Sequence, residues 1–293
     1  MIQVQSGTFH SFDDVPIYYE IRGQGEPVIF VYGLACLINH WHYQLEYFSQ
    51  NFQTVAFDIR GHHKSGIPEN LENLTLDAIA KDIAPMMREL GLKKAHFVGH
   101  SFGAQVILKT FDLFPELFQS ITFINGFSKN PIKGMFGLDI VEPLFYYAKT
   151  LHEKSPAALT EFWKILVDNP LSKFGLGIVG GFNLKHTQLK DIEIYTRGVA
   201  HLPMKILIPY FEDMMSYQGE SAAKKIDVPT LIVSGDKDMV TPQTFQTELH
   251  QLIKGSELFV VPYGSHCTQL DFPDYINLRL EKFFLSHKIN TGT

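Results

Sequence analysis

The chain has 293 residues, a formal net charge of −6 and 45% hydrophobic residues. This apolar content excludes a disordered chain, ordinary Gly and Pro usage excludes a collagen-like repeat, and the missing basic runs exclude a nucleic-acid-binding surface. Two cysteines, Cys36 and Cys267, cannot form a disulfide framework and fit a reducing compartment. With neither a signal-peptide pattern nor a bilayer-spanning apolar stretch, we expect a cytoplasmic protein without a membrane span.

The predicted strands begin with an antiparallel hairpin, Thr8–Phe12 and Ile17–Ile21, around Asp13-Asp14. Apolar runs then recur through the first half at spacings of about 25 to 35 residues, and two more follow near the C-terminus. Continuous runs of this kind are typical of strands buried on both faces of a parallel sheet. The runs are Val28–Tyr32, Thr54–Ile59, Ala95–Val98, Ile121–Ile124, Thr230–Ser234 and Leu258–Val261.

Helical patterns separate these runs. The clearest is Leu76–Leu90, with Thr75 as its N-cap, Gly91 as its stop and Pro85 as an internal kink. Alternating strands and helices predict an α/β fold with right-handed parallel connections.

Residues 128–223 interrupt this alternation. They contain no convincing strand, and their Phe, Tyr, Leu and Met residues fall in helical patterns. The predicted helices are Leu138–Lys149, Ala157–Val167, Leu189–Val199 and Ile206–Tyr217. We therefore expect a core formed by residues 1–127 and 224–293 with a helical cap, 128–223, over the sheet's carboxyl edge. A helical domain unrelated to any site is the alternative.

A candidate nucleophile stands in Gly99-His100-Ser101-Phe102-Gly103, which matches G-x-S-x-G between a predicted strand and a predicted helix. A strand-to-helix turn this tight leaves no room for side chains two positions before and after the serine. The turn would lift the Ser101 hydroxyl to the head of a helix, where backbone N–H groups point outward. The alternative is a Gly-rich turn with an idle serine.

Four further motifs join this pattern. They are Val31-Tyr32-Gly33-Leu34, Asp58-Ile59-Arg60-Gly61-His62, Gly235-Asp236-Lys237-Asp238 and Gly264-Ser265-His266. Together with the serine motif they resemble the α/β-hydrolase superfamily over about residues 15–127 and 225–285. The resemblance implies an α/β-hydrolase fold: a mostly parallel, eight-stranded sheet flanked by helices, with a helical cap insertion.

The resemblance also implies a Ser–Asp–His triad in that chain order. Ser101 is the predicted nucleophile and His266 its base. Both Asp236 and Asp238 follow a predicted strand, and the family's Gly-x-x-Asp pattern favours Asp238 as the acid. Some family members carry the acid at the end of the preceding strand, where this chain has Asn125.

The family's oxyanion hole corresponds to the backbone N–H groups of Leu34 and Phe102. Tyr32 replaces the usual His before the loop glycine, and we expect Tyr32, Gly33 and His100 to contact substrate. We expect neither a cofactor nor a metal, since the two histidines of His40-x-His42 would not share one face of a helix.

We therefore predict a serine hydrolase that cleaves a carboxylic ester or thioester of a small apolar molecule through an acyl-enzyme. A serine at the elbow argues against the dehalogenase and epoxide-hydrolase branches, which attack through a carboxylate. A C–C hydrolase, a lactonase, an acyltransferase and a low-turnover small-molecule receptor remain as alternatives. The sequence predicts no nucleic-acid partner, and it leaves the oligomeric state open.

Overall fold

An eight-stranded sheet forms the centre of the protein, whose computed structural model describes residues 3–133, 135, 139–169, 171 and 181–289. The strands lie in the order β1-β2-β4-β3-β5-β6-β7-β8. Their bounds are β1 Val4–His10, β2 Pro16–Arg22, β3 Glu26–Val31, β4 Phe52–Phe57, β5 Ala95–His100, β6 Phe118–Ile124, β7 Thr230–Gly235 and β8 Glu257–Val261.

Strand direction places the functional loops at one edge. β1 pairs antiparallel with β2, and β2 pairs antiparallel with β4. Every other neighbouring pair is parallel. The predicted mostly parallel, eight-stranded sheet is thereby confirmed. The loops after β3, β5, β6, β7 and β8 therefore meet at one edge of the sheet, as parallel strands require.

The helices fill the connections and flank the sheet. Their bounds are α1 His42–Phe48, α2 Leu76–Glu89, α3 Phe102–Leu113, α4 Val141–Lys154, α5 Pro156–Val167, α6 Leu189–His201, α7 Met204–Ser216, α8 Glu220–Lys225, α9 Thr244–Leu252, α10 Thr268–Asp271 and α11 Pro273–Ser286. Within the described ranges, every helix is too short or too polar to cross a lipid bilayer.

The predicted ends of α2 are confirmed. The Thr75 hydroxyl accepts a hydrogen bond from the Ala78 N–H at 3.2 Å, as an N-cap does. Gly91 adopts φ +67°, the left-handed conformation in which helices commonly end. The helix continues through Pro85.

The central strands are buried on both faces, which explains their continuous apolar sequence. Phe30 in β3, Phe97 in β5 and Phe123 in β6 are completely buried. Burying one such side chain contributes about 1.5 to 3 kcal/mol relative to leaving it exposed. These buried side chains stabilise the strands whose ends form the edge at which the loops meet.

Residues 128–223 contribute α4 to α8 and, within their described part, no strand. The helix predicted from Leu138 is observed from Val141, and Leu138 itself lies outside the described residues. The predicted second, third and fourth helices correspond to α5, α6 and α7, while α8 was not predicted. The division into a core and a cap stays a prediction.

The five helices differ in burial. α7 buries seven residues and contacts the core directly: the Tyr210 hydroxyl donates to the Arg60 carbonyl at 3.1 Å, and Asp213 accepts from the Leu76 N–H at 2.6 Å. By contrast, α4 has no buried residue and α5 buries only Val167. Residues 128–223 therefore include an inner helix fixed to the sheet side of the molecule, α7, and an outer pair, α4 and α5, that packs mainly on other helices of this region.

Candidate active site

Ser101 occupies a strained turn between β5 and α3, with φ +54° and ψ −121°. A Cβ at Gly99 would lie 2.8 Å from the Gly103 carbonyl oxygen, and a Cβ at Gly103 would lie 2.3 Å from the Val31 carbonyl oxygen. Backbone atoms cannot move aside cheaply, so both positions require glycine. Such strain persists only where the surrounding structure imposes it, and it is concentrated at functional sites.

The three side chains predicted as a triad lie in one hydrogen-bonded line. His266 Nε2 is 2.9 Å from Ser101 Oγ, and His266 Nδ1 is 2.9 Å from Asp238 Oδ2. His266 and Asp238 are buried, whereas Ser101 is half-buried. This arrangement can move a proton from the serine hydroxyl to the imidazole while the carboxylate fixes the ring.

The carboxylate at position 238 is held by three further donors. The N–H groups of Val240 and Thr241 donate to Oδ1 at 2.9 and 2.8 Å, and the Thr241 hydroxyl lies 2.8 Å from Oδ2. Asp236 instead accepts from the Tyr263 N–H at 2.6 Å and lies 3.3 Å from Lys237 Nζ. The geometry therefore favours Asp238 over Asp236 as the acid.

Asn125 connects the acid loop to the histidine loop, a role that sequence reasoning missed. It directly follows β6 and has φ +49°. Its Nδ2 lies 3.0 Å from the Ser265 carbonyl oxygen and 2.6 Å from the His266 carbonyl oxygen, and its Oδ1 accepts from the Gly235 N–H at 2.8 Å. A buried amide at the carboxyl end of a central strand was the available signal.

The loop after β3 lies against the nucleophile turn. A Cβ at Gly33 would be 3.1 Å from Ser101 Cβ, so the next peptide approaches the serine closely. Within the described residues, the N–H groups of Leu34 and Phe102 have no hydrogen-bond acceptor. Phe102 is the first residue of α3, whose N–H has no acceptor in the helix. These two donors are free to stabilise an oxyanion beside Ser101.

We expected Tyr32 to contact substrate, but it lies beneath this loop and is not among the residues that line the cleft. Its hydroxyl donates to Asp58 Oδ1 at 3.2 Å and accepts from the Ile59 N–H at 2.8 Å. The side chain is completely buried, and this burial raises the pKa of its phenol well above the usual value. Tyr32 thus anchors the loop, whereas Gly33 and His100 line the cleft.

The cleft next to Ser101 has a volume of about 290 Å³, the lower end of the range for small-molecule sites. Loops at the edge of the sheet and helices of residues 128–223 both contribute to its walls. Its apolar lining residues include Leu34, Phe127, Pro131, Met135, Trp163, Phe211, Met214 and Val240.

Comparison with known proteins agrees with this architecture. The family model of the alpha/beta hydrolase fold matches residues 26–149. RutD of Stutzerimonas stutzeri, provisionally named a carbamate hydrolase, is 25% identical over 89% of this chain and 94% of its own length. Epoxide hydrolase 1 of Caenorhabditis elegans is 24% identical over 91% of this chain and 67% of its own length.

A solved structure shares the whole fold. A thermophilic esterase from Thermogutta terrifontis superposes with a TM-score of 0.76 at 18% identity, covering 97% of this chain and 100% of the esterase. The serine turn, the sheet order and the family match thus point the same way. The chain has the α/β-hydrolase fold, and it is similar in sequence to hydrolases of that superfamily.

Proposed function

We propose that this protein is a serine hydrolase that cleaves a carboxylic ester or thioester of a small apolar molecule through an acyl-enzyme. The observation that carries the proposal is the continuous line from Ser101 Oγ through His266 to Asp238, with 2.9 Å at each contact. A serine hydroxyl is a weak nucleophile until an adjacent base removes its proton, and this line supplies the base.

Acylation begins when the substrate carbonyl lies beside Ser101 in the cleft. Ser101 Oγ attacks the carbonyl carbon while His266 Nε2 takes the hydroxyl proton, and Asp238 stabilises the resulting imidazolium. The carbonyl oxygen becomes an oxyanion that accepts hydrogen bonds from the N–H groups of Leu34 and Phe102. Losing one such donor typically costs about 3 kcal/mol of transition-state stabilisation.

The tetrahedral intermediate then collapses. His266 returns the proton to the leaving alkoxide or thiolate, which departs as the alcohol or thiol and leaves the acyl group on Ser101. Water repeats the sequence: His266 removes its proton, the oxygen attacks the acyl carbon, and Ser101 leaves with the proton from His266. The products are one carboxylic acid and one alcohol or thiol.

The lining of the cleft supports an apolar acyl group. A methylene that leaves water for such a wall contributes about 0.8 kcal/mol, close to fourfold in an equilibrium constant. A cleft of about 290 Å³ has limited room, so this gain ends once the acyl chain fills the cleft. We expect kcat/KM to rise from acetyl to medium-chain esters and to fall once the cleft is full.

The test combines covalent labelling with turnover. The wild-type protein should react with a fluorophosphonate probe at Ser101 and hydrolyse p-nitrophenyl esters from C2 to C12. Ser101→Ala should abolish labelling and lower kcat by about six orders of magnitude, as loss of the nucleophile does in comparable triads. The exposed Ser286→Ala serves as the matched control. Full activity in Ser101→Ala refutes the mechanism, and equal or falling kcat/KM from C2 to C8 refutes the substrate class.

A further inference from the structure

Three buried side chains that no step of the proposed reaction uses meet at the base of the cleft. Cys36 lies in the loop after β3, His40 lies in the short helical turn before α1, and His100 comes directly before Ser101. One potential ligand atom from each lies within 4.8 Å of the other two. Cys36 and His100 also line the cleft, so the cluster is next to a route from solvent.

The hydrogen bonding of His100 fixes which of its nitrogens is free. Nε2 lies 2.8 Å from the carbonyl oxygen of His266, and a carbonyl can only accept, so Nε2 carries the proton. Nδ1 therefore presents a lone pair, and this buried atom has no partner within the described residues. Metal-binding histidines commonly have this arrangement, with the other ring N–H donating to a carbonyl or carboxylate.

The remaining two side chains are also held in place. His40 Nε2 lies 2.5 Å from the side-chain amide of Gln269, whose buried oxygen has no other partner among the described residues. With that oxygen turned towards His40, Nε2 carries the proton and Nδ1 keeps a lone pair for a metal. The backbone of Cys36 is fixed on both sides: its N–H donates to the Gly33 carbonyl at 3.0 Å, and its own carbonyl oxygen lies 2.8 Å from His63 Nε2. Two neutral imidazoles and one thiol form a ligand set of the kind that suits Zn²⁺.

We propose that Cys36, His40 and His100 bind one thiophilic divalent cation such as Zn²⁺, with its fourth position open to the cleft. An ion centred in a triangle with sides of 4.8 Å would lie about 2.8 Å from each ligand atom. Typical distances of about 2.3 Å to sulfur and 2.1 Å to nitrogen require inward shifts of only about 0.5 to 0.7 Å.

Binding releases one proton, because the Cys36 thiol must become a thiolate as the metal–sulfur bond forms. The bound ion would join the loop that carries Leu34 to the residue before Ser101. Its open position would compete with substrate for the cleft, so the ion acts as a reversible inhibitor. The sequence analysis paired His40 with His42 and so did not find this site. His42 contacts Asn39 and Asp191, whereas the two side chains that lie beside His40, Cys36 and His100, come from other loops.

The experiment measures binding independently of activity. Chelator-treated protein is titrated with ZnCl₂ by calorimetry in buffers of different ionisation enthalpy, and with CoCl₂ by absorption spectroscopy. We expect one ion per chain, release of one proton and a cobalt–thiolate charge-transfer band. Cys36→Ser should remove the band and weaken Zn²⁺ binding at least about 100-fold, while Cys267→Ser, the other buried cysteine, should retain both.

A second variant keeps the test decisive if Cys36→Ser does not fold. His40→Asn leaves the thiol intact and should weaken Zn²⁺ binding by at least about tenfold. The proposal is overturned if the wild-type protein binds no ion, or if Cys36→Ser and Cys267→Ser bind Zn²⁺ equally. Because these readouts do not require turnover, failure here is distinct from failure of the serine-hydrolase proposal.

Discussion

Replacing Asn125 by Ala tests whether the link between the acid and histidine loops sets the catalytic geometry. The variant removes both ends of an amide that touches Gly235 on one side and Ser265 and His266 on the other. Asn125 does not line the cleft. The expected result is a fall in kcat with little change in KM.

The structure gives the size of the stability loss. The Gly235 N–H would lose its acceptor, which costs about 1 to 3 kcal/mol for a buried donor. The His266 carbonyl keeps its hydrogen bond from His100 and the Ser265 carbonyl keeps one from Thr268, so those losses are about 1 kcal/mol or less each. We expect a total near 3 kcal/mol. For a chain of this length that corresponds to a fall in Tm of about 5 °C.

The catalytic loss should be larger than this stability loss implies. Displacing a catalytic group by about 1 Å costs on the order of 100-fold, so we expect kcat to fall about 100-fold with the protein still folded. The assay is p-nitrophenyl ester turnover together with the rate of fluorophosphonate labelling, both normalised to the folded fraction.

Asn277→Ala is the matched control, because Asn277 is also buried and hydrogen-bonds Gln44 and Tyr43, outside the cleft and the triad. It should lower Tm similarly while kcat changes less than about twofold, as expected of a lesion that acts on stability alone. The reasoning fails if Asn125→Ala keeps kcat within about threefold of wild type, or if both variants lose kcat equally.

Three further outcomes follow from the structure. Asp238→Asn should lower kcat by about 10⁴ and Asp236→Asn by far less, measured by ester turnover; the reverse ranking would reassign the acid. Trp163→Ala should enlarge the cleft and shift the best acyl chain to a longer one in the ester series; an unchanged optimum would remove Trp163 from the acyl site. Burial raises the pKa of Asp271, so its protonated form is favoured in the folded state. Wild type should therefore lose stability relative to Asp271→Asn as the pH rises from 3.8 towards the folded pKa, by up to about 1.4 kcal/mol per pH unit in urea unfolding. Parallel stability curves would refute that assignment.

Local patterns predicted much of the fold. Each predicted strand overlaps an observed one, with ends that differ by up to four residues. The inner strands were the clearest, because burial on both faces gives a continuous apolar run in the sequence. β5 extends to His100, two residues past the prediction, because the polar and small residues at its end looked like part of the turn. The helix α8 was missed because its six residues are too few for a clear periodicity.

The residues of the site also differ in how far a local sequence pattern could identify them. Ser101, Asp238 and His266 stand in short motifs beside turn-forming glycines, so the local sequence was enough to name them as candidates, with Asp236 as the alternative acid. Asn125 and the partners of Tyr32 depend on contacts between segments far apart in the chain, and no local pattern encodes such contacts. Tyr32 shows the difference most clearly, because its position in the loop motif was predicted but its direction was not.

The helices of residues 128–223 differ in burial, so substitutions in α7 and in α5 should have different effects on the protein. α7 packs its apolar residues against the rest of the molecule, so substitutions on that face should lower stability. α5 buries only Val167 yet supplies Trp163 to the wall of the cleft. Exposed positions usually tolerate substitution within about 0.5 kcal/mol. Substitutions in α5 can therefore change which substrates fit the cleft, while the residues at the edge of the sheet keep their arrangement.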